Sequence, residues 1–148
     1  AVGGRLLVET LRQLKAGTLR PQPQDHSLAT MAPLLKKEDG LIDWTLPAKD
    51  IANRVRGLSP WPGAYTSVNG ERWILWRVSA TDGSPSKIAG TITRVTKDNL
   101  EVATGGGILL IYEIQPSNSR RMTIGQYLSG HRLSEGTTLQ SPGSPAQA

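Results

Sequence analysis

Tyr65-Thr66-Ser67-Val68-Asn69-Gly70-Glu71-Arg72-Trp73-Ile74-Leu75-Trp76-Arg77-Val78-Ser79-Ala80 decides the fold. Both arms are rich in β-branched and aromatic residues, and Asn69-Gly70 separates them. A type I′ turn needs φ > 0 at both central residues, which Asn-Gly supplies, so the stretch predicts an antiparallel hairpin of strands 65–68 and 72–80. Both faces of Trp73-Ile74-Leu75-Trp76 are apolar, which predicts a strand whose outer face is covered by a helix. Downstream, Thr91 to Thr96 and Leu100 to Ala103 flank a turn at Lys97-Asp98-Asn99, and Thr104-Gly105-Gly106-Gly107 turns into Ile108 to Glu113. A further strand is expected near Leu41 to Trp44. Short strands with frequent turn signals predict a mainly β fold, a small antiparallel OB-like Greek-key barrel with short flanking α-helices.

Three helical segments surround these strands. Leu7, Val8, Leu11 and Leu14 give an amphipathic helix that Gly17 ends. The second starts near Pro47, with Ala48, Ile51, Ala52 and Val55 on one face, and cannot continue through Pro60 and Pro62. The third is signalled by Thr123 and Gln126 as a capping box, with Met122 and Tyr127 as a hydrophobic staple, and ends at Gly130. Arg20 to Thr30, polar with two prolines, reads as an extended linker. The tail Ser141 to Ala148 lacks apolar side chains to bury and is expected to be disordered.

The chain has 148 residues, a formal net charge of +5 and no cysteine. The charge, with a pI near 9.9, favours an anionic partner, nucleic acid above all. Absence of cysteine excludes disulfides, thiolate zinc sites and thiol nucleophiles. No apolar run reaches the roughly 20 residues of a membrane span. The start, Ala1-Val2-Gly3-Gly4, lacks Met and any signal-peptide pattern, and reads as a piece of a longer protein.

No catalytic constellation emerges. His26-Ser27 lies in the linker, and neighbours in sequence form no triad unless the fold brings base, nucleophile and orienting acid together, so a solvated histidine is the better reading. His131 follows a helix end and reads as structural. Gly105-Gly106-Gly107 is not followed by Lys-Ser/Thr and reads as a tight turn. Glu38-Asp39-Gly40 and Asp43 match no EF-hand spacing and sit beside two lysines, so turn chemistry is expected and no metal site. Trp44, Trp73 and Trp76 read as core, since no phenylalanine supplies aromatic volume. Trp61, between two prolines, is expected to pack. The basic residues carry the only direct binding chemistry: Lys36, Lys37, Lys49, Arg56, Arg120, Arg121 and Arg132, which contact phosphate without reading sequence. Arg120-Arg121 stands out by preceding a helix N-terminus, which favours anions.

Two strings add a family resemblance: Lys36-Lys37-Glu38-Asp39-Gly40-Leu41-Ile42-Asp43-Trp44 and Arg56-Gly57-Leu58-Ser59-Pro60-Trp61-Pro62-Gly63-Ala64-Tyr65-Thr66. With Val102-Ala103-Thr104-Gly105 and Met122 to Leu133, they resemble the C-terminal half of the methionyl-tRNA formyltransferase family. The resemblance implies a transferase as parent protein, moving a formyl group from 10-formyltetrahydrofolate to the amino group of initiator Met-tRNA in translation initiation. It implies four segments: residues 1–17 as the last helix of a truncated catalytic domain, 18–35 as linker, 36–140 as the C-terminal OB-like tRNA-binding domain, and 141–148 as the tail. The family's catalytic Asn, His and Asp lie in a folate-binding N-terminal domain, and its Asn-x-His-x-Ser-Leu-Leu-Pro string does not occur here. No catalytic or cofactor-binding residue is therefore expected, and this piece alone should bind no cofactor and be inactive. Its expected partners are initiator Met-tRNA and the missing catalytic domain in cis. A monomer, no membrane association and a cytoplasmic setting are also expected. Met31 and Leu34 stand where the family often has Tyr and Lys, and Asn118-Ser119-Arg120-Arg121 replaces a Gly-Lys-Lys type of turn. A sugar-nucleotide formyltransferase, a formyltetrahydrofolate dehydrogenase and a stand-alone OB-type module remain open as alternatives.

Overall fold

The structure, a computed structural model, describes residues 2–83 and 87–140. The tail expected to be disordered lies outside the described residues. The chain divides into two units, up to Pro33 and from Leu34 onward.

In the first unit, α1 (Val2–Lys15) follows the apolar spacing and stops at Gly17, φ +69°. The Thr18 N–H donates to the Gln13 carbonyl at 3.0 Å and the Gly17 N–H to the Leu14 carbonyl at 3.1 Å, a Schellman closure that satisfies two terminal carbonyls. None of its residues is buried; Leu6, Leu7, Leu11 and Leu14 stay exposed. The segment read as extended contains one 3₁₀ turn, His26–Leu28, whose cap is Asp25: its Oδ1 accepts from the Ser27 N–H at 2.9 Å and the Ser27 hydroxyl at 2.6 Å. Ser27 is thus bonded to Asp25 rather than to His26.

In the second unit, α2 (Ala48–Gly57) buries Ala48, Ile51 and Val55. It precedes β1 (Ala64–Val68) and β2 (Glu71–Thr81), which pair antiparallel around Asn69 (φ +50°) and Gly70 (φ +82°), as the Asn-Gly dipeptide requires. β3 (Ile92–Val95), β4 (Leu100–Ala103) and β5 (Ile108–Pro116) form an antiparallel meander. β6 (Met122–Thr123) pairs with β5 and leads into α3 (Ile124–Leu128); β7 (Leu139–Gln140) pairs with β1.

The sheet order is β3-β4-β5-β2-β1-β7. Three hairpin-connected strands, with β2 returning beside β5 by a long connection, make a Greek key. The two ends of this order meet. Thr91 bridges Thr138, the Ile92 N–H donates to the Thr137 carbonyl and the Leu139 N–H to the Gly90 carbonyl, both at 2.8 Å. The result is the expected mainly β, OB-like barrel with short helices. Its interior is filled by Trp44, Trp73, Leu75, Ile92, Leu100, Leu109, Ile111 and Ile114, all at most 2 % exposed.

Three local expectations need correction. Leu41 to Trp44 is not a strand: only a parallel bridge joins Leu41 to Tyr65. Asp43 Oδ1 accepts from the Thr45 N–H at 2.9 Å and its hydroxyl at 2.7 Å, turning the chain before a ladder can extend. Trp76 is half-buried rather than core, because alternation with the buried Trp73 and Leu75 puts it on the outer face of β2, with its Nε1–H on Gln115 Oε1 at 3.1 Å. Trp61 does not pack; it is 55 % exposed. Leu58 turns inward instead, and the Gly63 N–H closes the turn on the Leu58 carbonyl at 2.9 Å, which leaves Trp61 at the tip.

Candidate nucleic-acid interface

The seven basic candidates fall into two groups. Lys36 and Lys37 belong to the 3₁₀ turn Lys37–Gly40 and its cap. Asp39 Oδ2 accepts the Lys36 N–H at 2.7 Å, and Arg54 Nη2 donates to the Asp39 carbonyl at 2.7 Å, which ties the turn to α2. The carboxylates here do turn work, as expected of them. Asp43 is held below its usual range by the hydroxyl and N–H of Thr45. Lys49 and Arg56 lie exposed on α2, and Arg56 Nη2 donates to Asn53 Oδ1 at 3.1 Å. Lys49 also borders a hollow of about 910 Å³ next to Asp82 and the glycine turn. A Cβ on Gly105 would run into the Thr45 carbonyl, so only glycine lets this turn approach so closely.

The second group flanks α3. Arg120 and Arg132 are exposed. Arg121 is paired: its Nε donates to Glu113 Oε2 at 2.7 Å, with Nη2 2.5 Å from the same oxygen, and its guanidinium lies 4.9 Å from the Trp76 ring centroid. Glu113 also accepts from Arg77 Nε at 2.8 Å, and that guanidinium sits 4.6 Å from the Tyr112 ring centroid. The bond from Arg121, then that from Arg77, keeps the Glu113 carboxyl below its usual range despite some burial. α3 has five residues, and its capping box is closed: the Gln126 N–H donates to Thr123 Oγ1 at 3.2 Å and the Thr123 N–H to Gln126 Oε1 at 3.0 Å. Arg121 stands out for its ion pair instead.

Arg77 and Lys97 were missed by sequence reasoning. They border a hollow of about 700 Å³ between the β3–β4 turn, Tyr112 and α3, with Asp98 also on its rim. Period two from the buried Trp73 and Leu75 leaves Arg72 in water but would turn Arg77 inward; the register shifts on either side of Arg77 bring it out, so only Arg72 had a local signal. Arg72 lies 3.8 Å over the Tyr65 ring. His131 is structural, stacked on Tyr127 at 4.2 Å, with Nδ1 3.1 Å from the Tyr127 carbonyl oxygen.

A family profile described as "Formyl transferase, C-terminal domain" matches residues 34–132, the unit that holds the barrel and both basic groups. The chain belongs to this family. Its similarity to whole proteins extends further: it is 48% identical to the methionyl-tRNA formyltransferase of Trichlorobacter lovleyi over 93% of this chain and 43% of that protein. It is 42% identical to that of Acetivibrio thermocellus over 93% of this chain and 45% of that protein. The chain thus spans less than half the length of the curated relatives it matches. Among solved structures, HypX from Aquifex aeolicus shares the fold, with a TM-score of 0.57 at 19% identity over 84% of this chain and 22% of that one. A second HypX structure, in complex with tetrahydrofolic acid, gives a TM-score of 0.56 at 18% identity. This formyl transferase C-terminal domain presents its cations on the outside of a closed barrel. No helix among the described residues is long and apolar enough to cross a membrane.

Proposed function

We propose that this chain is the C-terminal part of a methionyl-tRNA formyltransferase and that its barrel holds tRNA. A separate catalytic half takes the formyl group from 10-formyltetrahydrofolate and passes it to the amino group of initiator Met-tRNA in the cytoplasm. The observation that carries this reading is the identity of 48% to a methionyl-tRNA formyltransferase across nearly the whole chain, matched to less than half of that protein. Two features support the division of labour. The net charge of +5 is displayed by exposed Lys and Arg side chains, which suit a polyanion. The chain also lacks the family's Asn-x-His-x-Ser-Leu-Leu-Pro string. In this reading, residues 1–17 close the catalytic domain, 18–35 link it to the barrel, and 36–140 bind tRNA as a monomer, without cofactor.

The test has two arms. Incubated with Met-tRNA and 10-formyltetrahydrofolate, the chain should yield no formyl-Met-tRNA above the protein-free control; turnover by the chain alone would refute the division of labour. In a filter-binding titration it should bind tRNA with log Kd rising linearly with log salt, since displaced counterions drive the association. Binding that ignores salt would remove the phosphate reading.

A further inference from the structure

We infer that Glu113 is a positioning residue that holds Arg77 and Arg121 as a two-guanidinium clamp for an RNA backbone phosphate. The inference rests on the tRNA-binding reading and deepens it. Glu113 is the least exposed member of the trio, its side chain 20% accessible against 55% for Arg77 and 50% for Arg121. Its Oε1 takes Arg77 through Nε alone, at 2.8 Å. That leaves both terminal amino groups of Arg77 without a protein acceptor among the described residues. Its Oε2 takes Arg121 through Nε and Nη2, leaving Nη1. Each guanidinium is also braced by a ring, Arg77 on Tyr112 and Arg121 on Trp76. A guanidinium has five N–H donors in a rigid fork, so one held at its Nε edge still offers a second edge to an anion.

The fold supplies this placement. The β2–β5 register sets Arg77 opposite Glu113 at the bulge, and β6 sets Thr123 opposite Glu113 from the other side, with Arg121 two residues before it. Long arginine side chains lose rotamer freedom on binding, and fixing both beforehand removes much of that cost. Lys97 adds a cation on the adjoining hollow, while Asp98 there and Glu113 itself oppose an anion. The charge balance of this corner is therefore modest, and geometry must carry the binding.

Charge and geometry make opposite forecasts for Glu113→Gln. If Glu113 merely repels phosphate, removing its charge strengthens tRNA binding. If it positions the arginines, binding weakens, because a glutamine carbonyl can accept from one arginine while its amide faces the other donor to donor. The expected result is a Kd roughly five- to tenfold higher, with the melting temperature measured alongside. The double variant Arg77→Lys with Arg121→Lys keeps every charge and loses the fork; it should weaken binding by a similar roughly five- to tenfold factor, and decides the matter if Glu113→Gln does not fold. A Glu113→Gln protein that folds and binds as well as or better than wild type overturns the clamp, as does a double-lysine variant with wild-type affinity; in both cases the tRNA-binding reading stands. A wild-type chain that does not bind tRNA overturns both.

Discussion

Glu71 gathers the side chains that close one end of the barrel. Its Oε2 accepts from Trp73 Nε1 at 3.0 Å and from the Tyr127 hydroxyl at 3.1 Å, and the two rings meet edge to face at 4.8 Å. Burial first, and the neighbouring Glu71 carboxylate second, push the Tyr127 hydroxyl from 10.0 up to about 12. The sign of the consequence is fixed. In the unfolded chain Tyr127 ionises near pH 10, while in the fold it must stay protonated, so its contribution is full below about pH 10 and is lost as pH rises towards about 12. Denaturant midpoints of wild type and Tyr127→Phe, compared from about pH 8 to about pH 12, should show wild type falling relative to the variant only above about pH 10. A difference independent of pH would mean the hydroxyl is not held neutral by the fold. The Thr123–Gln126 capping box was legible in sequence because its members are three residues apart. Glu71 was not, because its partner Tyr127 lies 56 positions away and only the closed barrel brings them together.

Among elements, those with a strong local signal were readable: α1 from its apolar stripe and Gly17, the β1–β2 hairpin from Asn69-Gly70, and β4 and β5 from their apolar runs. β6 and β7 are two residues long, and nothing local distinguishes such a pair from loop. Their pairing depends on β5 and β1 already being in place. The register shift in β2 escaped for a related reason. A bulge is defined against the partner strand, and without it Arg77, in phase with Trp73 and Leu75, falls on the inward face of an unbroken alternation. α1 is the element whose sequence and surroundings disagree: it is amphipathic, yet Leu11 is 54% exposed and no residue of the helix is buried. Leu11→Asp should therefore leave the thermal midpoint of the barrel unchanged. A loss beyond about 2 kcal/mol, the lower range for truncating a buried leucine, would show that this side chain belongs to the barrel core.

At the scale of the whole molecule, the barrel is a closed apolar interior with a cationic exterior, and closure decides what the exterior can recognise. Because β3 and β7 join through Thr91 and Thr138, the sheet offers a nucleic acid little unpaired backbone there, so recognition falls to side chains. Under the proposed tRNA-binding reading, those side chains are Lys and Arg around α2, and Arg77, Lys97, Arg120, Arg121 and Arg132 around α3. Cations of this kind act on phosphates and position a polyanion without reading bases. Aromatic rings that could stack on a base are engaged elsewhere: Trp44 and Trp73 are buried, and Trp76, Tyr112 and Tyr65 each carry an arginine. Trp61 alone among the tryptophans stands exposed, at a turn tip. The chain should accordingly bind initiator and elongator tRNA with Kd values within roughly twofold of one another, both weakening in parallel as salt rises. Side-by-side titrations at two salt concentrations check this. A preference of about tenfold or more for initiator tRNA would require a base-reading contact, and Trp61→Ala would then be the first variant to examine for its loss.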